Sequence, residues 1–217
     1  MKTTREQRDA GGQAKALNPS LAKRLLAYAS FAGAGAMCAP HQMQAEIVYT
    51  PVHSNIGFDY ALDLNQDGTL DFRIRSSYIS GFASVSVKPI ANGNRVAGTS
   101  KKPCFPNRLR NAAPLPAGAA IGPDTPMNRA STCLINGYSG KYGPWVGVQD
   151  HYLGLAFVIN GKIHFGWARL SVNNFFCLGC LARIEGYAYE TEPGKAIRAG
   201  DEGGLGTLAV GAPGVRR

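Results

Sequence analysis

Asp63, Asn65, Asp67, Thr69 and Asp71 occupy alternate positions of the segment Asp63-Leu-Asn-Gln-Asp-Gly-Thr-Leu-Asp71. Oxygen-bearing side chains at loop positions 1, 3, 5 and 9 can converge on one cation. Glycine at position 6 makes the sharp turn, and the backbone carbonyl at position 7, here Thr69, adds a ligand. Hard oxygen donors in this order suit Ca²⁺, which takes six to eight oxygens. Position 12 is Ile74 rather than a bidentate Glu, and the flanks read as strands. The pattern is therefore a shortened, dockerin-like loop with one carboxylate fewer. The competing reading is an Asx-rich turn without metal, because Asn, Asp and Gly also dominate turns. A calcium loop of this kind acts as a structural staple rather than a catalytic centre.

Three other groups of residues are candidates for chemistry. Cys177 and Cys180 form a Cys-x-x-Cys pair, which supports a redox couple, half a zinc site or a disulfide. Zinc would also draw on Cys104 and Cys133, which are far apart and have no knuckle of their own. A redox pair belongs at a helix start in a βαβ unit, and no such pattern is present. A structural disulfide is the expectation. Tyr138, Tyr142 and Trp145, in Asn136-Gly-Tyr-Ser-Gly-Lys-Tyr-Gly-Pro-Trp145, are candidates for stacking on a sugar ring, or else cap a core beneath a loop. His53, His151 and His164 have no Ser or Cys elbow beside them. The carboxylates of the acidic loop do not form the separated pair of a glycosidase. No catalytic residue is assigned, and the expectation is a protein that is not an enzyme.

These residues sit in a chain of 217 with 27 glycines and 17% charged residues, a composition that favours turn-rich β structure over long solvated helices. Residues 1–45 carry six basic side chains against Glu6 and Asp9, a net +4 of the formal +9. The rest is spread without a dense basic run, which argues against a nucleic-acid partner. Leu25–Met37 is a 13-residue apolar stretch rich in Ala and Gly. As a helix it would span about 20 Å, short of the hydrocarbon core of roughly 30 Å. It suits the core of a signal peptide with cleavage after Ala45, not a stable membrane span. Cleavage there would remove Cys38 and leave Cys104, Cys133, Cys177 and Cys180, an even set suited to an oxidising compartment. The expected pairing is Cys104–Cys133 with Cys177–Cys180.

Residues 46–200 read as one β domain. Glu46–Thr50, closed by Pro51, opens it; Phe58–Leu62 and Asp71–Tyr78 flank the acidic loop; Ala83–Ile90 follows, and Asn92-Gly-Asn94 marks a turn. From Gly98 to about Gly147 seven prolines are scattered among glycines, which predicts a long irregular connection. Tyr152–Ile159 and Lys162–Val172 are apolar runs joined by Asn160-Gly161, a strong hairpin signal. Glu185–Glu190, with Tyr187 and Tyr189 on one face, closes the set. About seven strands with glycine-rich turns predict a mostly β fold, an antiparallel sandwich or jelly-roll-like body, preceded by a disordered or helical signal segment. Residues 201–217 read as a flexible or degenerate sorting tail, too short to span a bilayer and interrupted by Pro213.

Ala45-Glu-Ile-Val-Tyr-Thr-Pro51, the Asp63–Asp71 loop, Tyr152–Phe157, His164-Phe-Gly-Trp-Ala-Arg-Leu170 and Gly186-Tyr-Ala-Tyr-Glu-Thr191 together resemble exported bacterial surface proteins. These form the broad group with a signal peptide, a β-sandwich body and a sorting tail of the PEP-CTERM kind. The resemblance covers most of 45–200 and implies export, with no activity attached. The tail lacks a Pro-Glu-Pro signature. The expected function is that of an exported, non-enzymatic envelope or extracellular protein, structural or adhesive, stabilised by Ca²⁺. Cell-surface glycans or other envelope components are the expected partners. A carbohydrate-binding module and a secreted hydrolase are the alternatives.

Overall fold

The structure is a computed structural model that describes residues 46–98, 110–138, 140–173 and 181–204. The chain divides at Met43/Gln44, and every described residue lies beyond that point. The signal-peptide reading of 1–45 and most of the tail therefore lie outside the described residues.

The described residues are mostly β and contain no helix. In chain order the strands are β1 (Ile47–Ile56), β2 (Asp59–Leu62), β3 (Phe72–Ile79), β4 (Phe82–Pro89), β5 (Arg95–Ala97), β6 (Arg110–Asn111) and β7 (Pro114–Leu115). They continue with β8 (Ala120–Ile121), β9 (Met127–Asn128), β10 (Thr132–Ile135), β11 (His151–Ile159), β12 (Lys162–Val172), β13 (Ala182–Glu190) and β14 (Ile197–Arg198). The larger sheet runs β1-β13-β12-β11-β5-β9, with β7 also on β11; the smaller runs β2-β3-β4-β10-β6. Pairing is antiparallel except between β10 and β6.

The two sheets enclose one core. Phe72, Ile74, Val85 and Val87 from the smaller sheet join Leu153, Leu155, Phe157, Leu170 and Ile184 from the larger. The larger sheet is also covered on its other face. There Tyr152, Ala156, Phe165, Trp167 and Ala188 meet Ile121 and Ile197 of the small β8–β14 ribbon. A strand buried on both faces has no polar side to show, which accounts for the continuous apolar run of β11. The β11–β12 hairpin turns at Asn160 and Gly161, both with positive φ (50° and 77°), as the Asn-Gly signal predicts.

Two expectations need correction. Pro51 does not end the first strand: β1 continues to Ile56, with its register broken between Pro51 and Ser54. Because β1 is an edge strand, a missing N–H on its outer side costs no ladder bond. The proline-rich stretch 98–147 is not merely a connection either. It supplies β10, buried throughout, which lies between β4 and β6 in the smaller sheet.

Opposite the break in β1, the register of β13 shifts as well, and Glu185 has no partner in either ladder. This bulge lets Ile184 and Tyr187 both face the main core although they are three residues apart. Tyr187 and Tyr189 do share a face, as their spacing predicts.

Candidate functional site

The acidic loop joins β2 to β3 and is folded by its own polar groups. Gln66 and Gly68 both have positive φ (57° and 86°), which curls the chain back within three residues. Asp63 accepts the Gly68 N–H through Oδ2 at 2.8 Å. Asp67 accepts the Thr69 N–H at 2.7 Å and the Asn65 amide N–H at 2.9 Å. The Gln66 amide donates to Thr50 Oγ1 on β1 at 2.9 Å, so the loop is pinned to the edge of the larger sheet.

Asp71 is turned inward. It is 4% exposed and accepts the Leu64 N–H at 2.9 Å through Oδ2. Its Oδ1 and its backbone carbonyl both face the Asn94 amide. Asn94 in turn accepts the Val158 N–H at 3.1 Å. A relay Leu64–Asp71–Asn94–Val158 thereby ties the loop to β11.

Electrostatics separate the acids. Burial raises the Asp71 carboxyl to about 6; the Leu64 and Asn94 hydrogen bonds oppose that rise, and the negative Asp63 and Asp67 add to it. On the surface, the Asn65 hydrogen bond and then those of Thr69 hold Asp67 below the ordinary range.

One atom of this loop has no partner among the described residues. Asp63 Oδ1 is buried and makes no hydrogen bond, and a carboxylate oxygen in that state is costly unless something else binds it. Among the described residues no three His, Cys, Asp or Glu side chains assemble as a metal-binding group. A calcium ion here would rely on a mixed set: Asp63 Oδ1, Asp67, the Asn65 side-chain oxygen and the Thr69 carbonyl. These donors fit a hard cation of modest affinity. Asp67 and Asp71 each have both oxygens already accepting hydrogen bonds within the protein, and Asp71, turned inward, also anchors the loop.

The aromatic loop splits. Trp145 has no exposed surface and donates its indole N–H to the Ala112 carbonyl at 3.0 Å. It is a core residue, so of its two readings the one that caps a core beneath the loop holds, and Trp145 offers no face to a sugar. Tyr138 is 72% exposed and Tyr142 49%. Tyr138 lies edge-on to Phe82, with centroids 6.1 Å apart, at the tip of the β3–β4 hairpin. Backbone bonds between Asn136 and Tyr142 in both directions close the loop beneath them.

The histidines have their own partners. His53 Nδ1 lies 3.1 Å from Glu185, His151 Nδ1 2.7 Å from the Gln149 carbonyl, and His164 Nδ1 3.0 Å from the Glu190 carbonyl. Glu185 also holds Arg183 at 2.7 Å. Burial pushes its carboxyl up, but His53 and Arg183 outweigh this and leave it below the ordinary value. Cys133 is buried and disulfide-bonded. Cys104, Cys177 and Cys180 lie outside the described residues, and so does the expected pairing.

No known protein family, curated protein or solved structure matches this chain.

Proposed function

We propose that this chain is an exported, non-enzymatic protein of the bacterial envelope or extracellular space, structural or adhesive in role, whose β body is stapled by Ca²⁺ at the Asp63–Asp71 loop. The observation that carries the reading is Asp63: one carboxylate oxygen caps Gly68 while the other is buried without a partner. A cation at that oxygen would remove the desolvation cost and the mutual repulsion of Asp63, Asp67 and Asp71. Export is supported by the Leu25–Met37 stretch, whose length and small apolar residues suit the core of a signal peptide.

Thermal unfolding of the full-length chain in 5 mM Ca²⁺ and in chelator tests the staple. With a dissociation constant of about 10⁻⁴–10⁻³ M, as in extracellular modules, millimolar Ca²⁺ contributes about 1–2 kcal/mol. Asp63→Ala should lose most of that difference. Equal melting of the wild type in the two buffers would reduce the loop to a turn. Export itself is tested by fractionation with N-terminal sequencing, and an intact Met1 on a cytosolic protein would exclude it.

A second reading, glycan binding, is supported by the exposed pair Tyr138 and Tyr142. Binding on a glycan array that Tyr138→Ala abolishes would favour it over a purely structural role.

A further inference from the structure

We infer that an open cavity beside β5 is a binding site for a small organic monoanion with an apolar body, such as a short-chain aliphatic or aromatic carboxylate. The cavity measures about 350 Å³, within the size range of small-molecule sites. It lies on the side of the larger sheet that faces the β8–β14 ribbon, away from the acidic loop and the aromatic loop.

Register explains why a charged group stands there. Arg95 pairs with Ala156 on β11, and directly paired residues of antiparallel strands share a face. Ala156 pairs in turn with Phe165 on β12. The small Ala156 side chain leaves a hollow between Arg95 and Phe165, and Ile163 and Met127 complete its apolar lining. Thr125, also on the wall, has its hydroxyl engaged with the Gly122 N–H and the Ala120 carbonyl. The wall is therefore fixed by its own hydrogen bonds, and that hydroxyl is already in use.

Arg95 is the unexplained group. Its Nε is buried and has no hydrogen-bond partner. Among the described residues it forms no ion pair, and none of those that line the cavity carries a carboxylate. Arginine is always charged and presents a planar fork suited to a carboxylate, so a half-buried one whose Nε is unpartnered beside an apolar hollow selects a ligand with both features. A single guanidinium offsets one negative charge. The rest of the described lining is neutral, which favours a monoanion over a phosphate dianion. Phe165, Ile163 and Met127 would take the hydrocarbon part.

The test uses the full-length chain with ¹³C-labelled Ala, Ile and Met methyl groups, titrated by NMR with hexanoate, hexanol and acetate. Hexanoate should shift the Ala156, Ile163 and Met127 methyls saturably. Hexanol should bind about tenfold more weakly or worse, and acetate should not saturate. Arg95→Met should lower hexanoate affinity to the hexanol level while the other methyl signals stay native. Arg95→Gln serves as the second variant should the first not fold. The inference is overturned if hexanoate leaves these methyls in place, if it binds no better than hexanol, or if a folded Arg95 variant binds it as tightly as the wild type.

Discussion

Replacing Asp71 by Asn changes one atom and removes one buried charge. Its consequence is a change in how stability depends on pH. In the native state the Asp71 carboxyl titrates near 6 against an ordinary 3.8, mainly because it is buried. The folded protein therefore holds this proton more tightly than the unfolded chain does. Between those two pH values unfolding releases a proton, so stability falls as pH rises. The contribution is fully present below about pH 4, is lost through about pH 6 and is absent above it. About two pKa units at 1.36 kcal/mol each amount to about 3 kcal/mol. The assay is urea unfolding of wild type and Asp71→Asn, in chelator, at several values from pH 4 to pH 7. Glu185, whose carboxyl is lowered, drives the opposite trend, but it is common to both proteins and cancels in their difference. Wild type should lose about 3 kcal/mol relative to the variant across that range. A difference that stays constant within about 0.5 kcal/mol would refute the argument that burial governs Asp71.

Trp145→Phe should cost about 1–3 kcal/mol in denaturant unfolding, because the Ala112 carbonyl loses its buried donor; any glycan binding by the folded variant should be unchanged. Gly161→Val should cost about 1–3 kcal/mol by the same measurement. Nothing lies within 4 Å of an added Cβ there, so the loss comes from a β-branched residue forced to φ 77°, and Gly161→Asn should cost much less. Cys133, being disulfide-bonded, should resist alkylation in denaturant until reductant is added. Peptide mass mapping of the unreduced protein would then identify its partner.

What could be read from the sequence was what neighbouring residues decide. The β11–β12 hairpin depends on two adjacent turn residues, and the acidic loop closes through bonds spanning two to seven residues. Both were legible for that reason. β10 was not, because Thr132 pairs with Val87, 45 residues away, and its surroundings are rich in proline. Trp145 lies in an irregular segment where no period of two or 3.6 assigns a face, so its burial had no local signal. Arg95 likewise looks like any surface cation until β5 is paired with β11. The inward turn of Asp71 depends on Asn94, 23 residues on, which spacing within the loop does not show.

The break in β1 bears on how the protein behaves at high concentration. An open sheet edge offers its unpaired N–H and C=O groups to any passing strand, a second copy of the same chain included. Along β1 that template is interrupted. Pro51 contributes no donor, and the register slips between Pro51 and Ser54. An incoming strand could match the ladder over only a few residues on either side. The same irregularity that seats Glu185 between His53 and Arg183 thus limits growth of the larger sheet into a fibre.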